Sequence, residues 1–375
     1  MNNYSIGDLV TFQRGYDLPK NKMVNGPYPV VGSNGIIGYH DKYTTDGPCV
    51  VIGRSGNAGS IAYVEDKFWA HNTTLFVKDF KTNNPKYIYY LLKQVDIKFI
   101  AGGSAVPTLN RNILHEVRIS ATKNLKIQEE IANILSGFDD KIKKNIEEIK
   151  IYQSFNNTLY KNMFIEYYSN DIKNNLQIGT FKDYFFSNVY DNVVEVKFKN
   201  KEEENYPVLS VVKEGEFKAS EDVFTKQVYS KSTKNYKIVR RNQVAYNPAR
   251  ANIGSIAMLK EYDVGLVSPI YTVFEMKDTI TPTFFYYYMK QPIFQEMIKH
   301  HAIGTTRQNF PFEAFKMFPM VVPPMELQLK FEEIAKPIEE KIAKLKEENE
   351  VLAEIRDTLL PKLMSGELPV EVGEK

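Results

Sequence analysis

Residues 304–310 read Gly-Thr-Thr-Arg-Gln-Asn-Phe. After one glycine, Thr305, Thr306, Arg307, Gln308 and Asn309 are five consecutive side chains that donate or accept hydrogen bonds. Earlier in the chain, residues 102–111 read Gly-Gly-Ser-Ala-Val-Pro-Thr-Leu-Asn-Arg, a sparser echo that keeps Ser104, Thr108, Asn110 and Arg111. Runs of this kind can match a pattern of donors and acceptors on a partner, and glycine lets the backbone come close to it. The other account of both runs is a polar surface loop that leads into a helix, with Asn or Thr as its cap.

Two more groups invite the same question. Arg54-Ser55-Gly56-Asn57-Ala58-Gly59 is matched by Ala249-Arg250-Ala251-Asn252-Ile253-Gly254, so an Arg and an Asn precede a shared glycine twice. A β-turn that closes a hairpin explains this pattern equally well. Between Lys226 and Arg241 stand Lys231, Lys234, Lys237 and Arg240, with no acid among them. The run is either a solvated hairpin or a patch that contacts phosphates.

Catalytic signatures fail residue by residue. Gly53-Arg-Ser-Gly-Asn-Ala-Gly-Ser lacks the lysine that a phosphate-binding loop needs. Asn247-Pro248-Ala249-Arg250 begins like an amino-methyltransferase motif but has no aromatic after a second proline. The histidines are His40, His71, His115, His300 and His301; the adjacent pair would point in different directions on a helix, so no metal site is expected. Cys49, the single cysteine, lies in an apolar stretch and reads as core. It also excludes intramolecular disulfides, which fits a reducing cytosol.

The elements that must hold these groups follow from composition and pattern. A chain of 375 residues, 43% hydrophobic, has room for two or three domains with real cores. The start carries no basic-then-apolar leader, and no 18-residue apolar run suggests a membrane span. A net charge of +2 announces no global attraction to nucleic acid.

The chain repeats itself. Tyr28-Pro29-Val30-Val31 returns as Tyr206-Pro207-Val208-Leu209, Gly59-Ser60-Ile61-Ala62 as Gly254-Ser255-Ile256-Ala257, Gly103 as Gly304, and Gln128 as Gln328. The separation drifts in the first part of each half and settles near 200 in the second, so each half joins a variable region to a fixed one.

The fixed regions carry a heptad seam. Ile131, Leu135, Phe138, Ile142, Asn145, Ile149, Tyr152, Asn156, Leu159 and Met163 alternate steps of four and three. Phe331, Ala335, Ile338, Ile342, Leu345, Asn349, Leu352, Arg356, Leu359 and Leu363 repeat it in phase. Two such helices are expected to pair, with Asn145, Asn156, Asn349 and Arg356 fixing the register. Gly137 and Pro337 predict a bend at the same place in each. Beyond it, each arm would be about 39 Å long at the helical rise.

The variable regions read as strands. Cys49–Ile52, Ser60–Val64 and Thr74–Val77 in the first half, and Ser255–Leu259 and Tyr271–Phe274 in the second, are short apolar runs between turn formers. An aromatic helix follows each set, at Pro85–Leu92 and Pro282–Met289.

Four stretches stand out: Leu135–Ile142 in the centre, Pro323-Pro324-Met325-Glu326-Leu327-Gln328, Ile338-Glu339-Glu340-Lys341-Ile342, and Leu359-Leu360-Pro361-Lys362-Leu363-Met364-Ser365-Gly366-Glu367-Leu368. In these stretches the chain resembles the specificity subunits of type I restriction–modification systems. The first helix opens on Asn124-Leu125-Lys126-Ile127-Gln128, without the proline and glutamate of the second copy.

The resemblance implies an α+β chain with a pseudo-two-fold internal repeat. Two strand-rich target-recognition domains, 1–122 and 169–325, would be separated by helical spacers 123–168 and 326–368 that form an antiparallel coiled coil, with 369–375 as a tail. Phe138, Ile142, Ile149, Leu159, Ile338, Ile342, Leu345, Leu352 and Leu359 would pair the helices. Each domain would read one half of a split double-stranded DNA site. Two methyltransferase (modification) subunits would dock on the helices, and motor–nuclease subunits would join the assembly. S-adenosylmethionine, ATP and Mg are then expected on those partners, and no cofactor on this chain.

Under that resemblance the loops are base readers: Arg pairs with guanine, Asn and Gln with adenine, and Thr with several bases. The candidates are Arg54, Asn57, Ser104, Thr108, Asn110 and Arg111 in the first domain, and Arg250, Asn252, Thr305, Thr306, Arg307, Gln308 and Asn309 in the second. Lys231, Lys234, Arg240 and Arg241 are the phosphate candidates. A coiled-coil scaffold that never touches DNA is the rival expectation.

Overall fold

A computed structural model describes residues 1–101, 108–166, 184–223, 232–302 and 309–371. Ser104, Thr305, Thr306, Arg307, Gln308 and Lys231 lie outside the described residues. The chain forms two compact units. The first joins Met1–Ile146 to Lys346–Lys375, and the second is Glu147–Leu345. Each therefore contains parts of both fixed regions, which a linear division of the sequence keeps apart.

The first unit is built on a four-stranded antiparallel sheet in the order Thr11–Arg14, Thr74–Asp79, Cys49–Gly53, Ile61–Val64. The second repeats the order with Val193–Val196, Thr272–Met276, Val244–Tyr246, Ile256–Met258. Val51, Ile52, Val244, Ala245 and Tyr246 on the central strands are all buried. β-Branched and aromatic residues suit such positions.

Each sheet packs against an aromatic helix. Pro85–Lys93 opens on Asn84, whose side chain accepts from the Tyr87 N–H; Pro282–Met289 opens on Thr281, which accepts from the Phe284 N–H. A polar cap followed by proline at the first helical position is a strong start signal.

Two long helices follow, Leu125–Lys161 and Met325–Ser365. Both remain helical through Gly137 and Pro337. No seam position of either helix is exposed, while Ile151, Phe155, Val351 and Ile355 on the outer faces are. Within the first unit Asp139 pairs with Arg356, Lys141 with Glu348, and Asn145 donates to Asn349 at 2.9 Å. Residue 139 meets 356 while residue 145 meets 349, so the pair is antiparallel. In the second unit Asn156 Nδ2 donates to the Ala335 carbonyl at 3.2 Å.

The repeat extends into the cores. Ile131, Leu135, Leu360 and Met364 enter the first core, and Phe331, Ala335, Tyr160 and Phe164 enter the second. Gln128 ties its helix to the sheet domain. Its Oε1 accepts from the Asn84 N–H at 2.8 Å, and its Nε2 donates to Asn83 Oδ1 and the Thr122 carbonyl, each at 2.7 Å. Gln328 does the same in the second unit: Oε1 accepts from the Thr281 N–H at 2.8 Å, and Nε2 donates to the Thr279 and Pro323 carbonyls. Both glutamines are fully buried, so every polar atom needs such a partner. Among the described residues no helix is long and apolar enough to cross a membrane.

Candidate nucleic-acid interface

The first unit gathers its candidate readers. Strand Cys49–Gly53 ends where Arg54 begins a turn, and the Arg54 carbonyl accepts from the Leu109 N–H at 2.8 Å. Ser55 and Thr108 form an isolated antiparallel bridge beside it. Leu109 is fully buried and anchors the segment, which leaves Thr108 and Asn110 exposed on either side. The result is an open concavity of about 560 Å³ lined by Arg14, Arg54, Leu75, Thr108, Leu109, Asn110 and Arg111. Three arginines line one hollow, and one of them, Arg14, is paired with Asp17 at 3.1 Å.

Of the first-domain candidates, Arg54, Thr108, Asn110 and Arg111 are thus brought together, and Arg14 joins them. Arg14 carried no sequence signal: it is a lone cation at the end of a short strand. Asn110 also caps the helix Arg111–Glu116, its Oδ1 accepting from the Asn112 N–H at 2.9 Å. The capping account therefore holds for that oxygen, and Nδ2 remains the group that can donate to a base edge. Asn57 is exposed in the turn between the strands.

His115, on the same short helix, accepts from the Phe12 N–H through Nε2 at 3.0 Å. Burial first, then the nearby charges of Lys81 and Arg111, hold its pKa below the usual histidine value. It is a neutral structural imidazole that locks the helix carrying Arg111 to the sheet.

The second unit uses the same backbone with different side chains. Its Phe310 N–H donates to the Pro248 carbonyl at 2.9 Å, in the manner of Leu109 and Arg54. The correspondence puts Pro248 where the first unit has Arg54, Asn309 where it has Thr108, and Phe312 where it has Arg111. Asn309 is exposed beside the buried Phe310. Arg250 is exposed and lies two residues beyond the position that matches Arg54; Asn252 is half-buried in the turn Ala251–Ile253. The shared glycine is conformational: Gly59 and Gly254 have φ of 85° and 97°, where other residues are strained.

Among the phosphate candidates, Lys234 and Arg240 are exposed. Arg241 is committed to its neighbours, with Nε on Asp263 at 2.8 Å and Nη1 on the Lys260 carbonyl. Among the described residues no group of three His, Cys, Asp or Glu side chains is placed to hold a metal.

Residues 1–153 match the type I restriction modification DNA specificity domain. A putative type I specificity subunit of Mycoplasma pneumoniae, S.MpnORF289P N-terminus, is 33% identical over 146 residues, 36% of this chain and 76% of that protein. The chain belongs to the type I specificity-subunit family. The MjaIX specificity subunit of Methanocaldococcus jannaschii is 26% identical over 311 residues, 76% of this chain and 69% of that subunit. The crystal structure of the type I restriction–modification S subunit from M. genitalium has the same fold, with a TM-score of 0.65 and 20% identity over 96% of this chain and 95% of that one.

Proposed function

We propose that this specificity subunit reads an asymmetric, two-part DNA site, one unit for each half, and docks methyltransferase subunits on its helices. It carries no catalysis itself. S-adenosylmethionine, ATP and Mg would reside on partner subunits in the cytoplasm, with motor–nuclease subunits joining the assembly.

The observation that carries this is the concavity of Arg14, Arg54, Thr108, Asn110 and Arg111. Side chains that match base edges converge there on a supporting sheet. The replacement of Arg54, Thr108 and Arg111 by Pro248, Asn309 and Phe312 at matching backbone positions supports two different half-sites. Lys234 and Arg240 are exposed, which supports contacts to backbone phosphates that fix register without reading sequence.

A salt titration of DNA binding by the chain with its modification subunits tests this. With six phosphate contacts, affinity should fall roughly a thousandfold between about 50 and 200 mM salt. An assembly that co-purifies yet binds no DNA would favour the scaffold.

A further inference from the structure

We infer that Arg14 reads guanine in the first half-site and is held for that task by Asp17. The inference rests on the DNA-recognition reading above and adds a residue that no motif singles out. Arg14 ends its strand opposite Leu75 and lines the hollow that Arg54 and Arg111 share.

Its direction is fixed from outside. Arg14 Nη2 meets Asp17 Oδ1 at 3.1 Å. The same oxygen accepts from Asn72 Nδ2, and the Asn72 carbonyl lies 3.5 Å from Arg54 Nη1. One run of contacts thus joins Arg14, Asp17, Asn72 and Arg54.

The Arg14 side chain is 51% exposed and that of Asp17 68%, so the ion pair contributes little to stability. Its effect is geometric. A phosphate contact needs positive charge and little direction, and Asp17 cancels charge. A guanine contact needs two donors aimed in parallel at O6 and N7, and a carboxylate on one nitrogen of the rigid fork supplies that aim. Asp17 therefore acts as a positioning residue and Arg14 as the reader.

The test is a map of methylated sites. The full chain would be expressed with its modification subunits in a methylation-free host, as wild type, Arg14→Lys, Arg14→Ala and Asp17→Asn. Arg14 lies at an exposed strand end, so these variants keep the core, and a melting curve verifies it. In the wild type, one half of the motif should contain a fixed guanine. In Arg14→Lys and Arg14→Ala that preference should drop roughly 5- to 150-fold, with the other half unchanged. Asp17→Asn should weaken the same position less.

Because Arg14→Lys keeps the charge and loses the fork, it separates direction from charge. An unchanged motif in both Arg14 variants overturns the inference. So does a uniform loss of methylation at all sites in Arg14→Ala that Arg14→Lys restores, which marks a phosphate contact. A wild type that methylates no two-part motif removes the DNA-recognition reading itself, and the inference with it.

Discussion

Arg356 and Asp139, 217 residues apart in the chain, form an ion pair in the first unit. The Tyr90 hydroxyl donates to the other oxygen of Asp139 at 2.5 Å. The repeat offset maps Asp139 onto Glu339 and Arg356 onto Asn156. In the second unit Asn156 donates to the Tyr287 hydroxyl oxygen at 2.8 Å, and Glu339 lies beside the same tyrosine. Both units therefore join the aromatic helix to both long helices through a tyrosine, an acid and a seam residue. Burial pushes both tyrosine hydroxyls up in pKa, so they stay protonated and can donate.

Asp139→Ala should leave Arg356 with Asp357 as its remaining acidic partner, remove the acceptor of the Tyr90 hydroxyl and cost about 1–3 kcal/mol. Unfolding measured across the cycle of Asp139→Ala, Arg356→Met and the double variant checks this. Additive effects would mean that the two side chains do not act together.

Gln128→Leu strands the Asn84 N–H, the buried Asn83 Oδ1 and the half-buried Thr122 carbonyl, and Gln328→Leu does the same around Thr281. Each should lower stability by about 2–3 kcal/mol, read from a denaturant midpoint. A change below about 0.5 kcal/mol would show that water replaces the amide.

His115 sets a pH dependence. Its folded pKa lies below the ordinary 6.5 because burial and nearby cations disfavour the charged form. Below that ordinary value the unfolded chain takes up a proton that the folded chain resists. The stability is thus fully present above about pH 6.5 and declines as pH falls toward the folded pKa. Between pH 7.5 and 5.5, wild type should lose more melting temperature than His115→Gln. Equal losses would clear His115.

Arg240→Ala should reduce the dependence of DNA affinity on salt by about one phosphate contact, a slope change near 0.9. Arg241→Ala should change it little, since Asp263 and the Lys260 carbonyl already hold that guanidinium. Equal effects from the two would mean that the Asp263 pair opens on DNA.

Seven residues added to each long helix lengthen it by about 10 Å, which corresponds to roughly 3 base pairs of extra gap between the half-sites. Sequencing methylated sites of the lengthened protein measures that gap. An unchanged gap would mean that the helices do not set spacing.

Much of the fold was legible because its signals are local. The heptad seam is a spacing rule, and each of its positions is buried or half-buried. The echo of Gln128 by Gln328 marked the repeat, although the helix caps and loop carbonyls they hold were invisible. Long-range partners could not be read. Arg356 stood out as a polar seam residue, but its link to Asp139 depends on how the antiparallel pair closes. Arg14 joins Arg54 and Arg111 only when the strand Thr11–Arg14 is laid beside Thr74–Asp79. Arg241 lay in a basic run that suggested phosphate, and its acid, Asp263, came from a neighbouring loop.

The most direct test of the central proposal is the methylation map of the wild-type chain, co-expressed with its modification subunits in a methylation-free host. The predicted result is a two-part asymmetric motif with a modified base in each half. Co-purifying subunits that modify no motif would contradict DNA recognition by this chain.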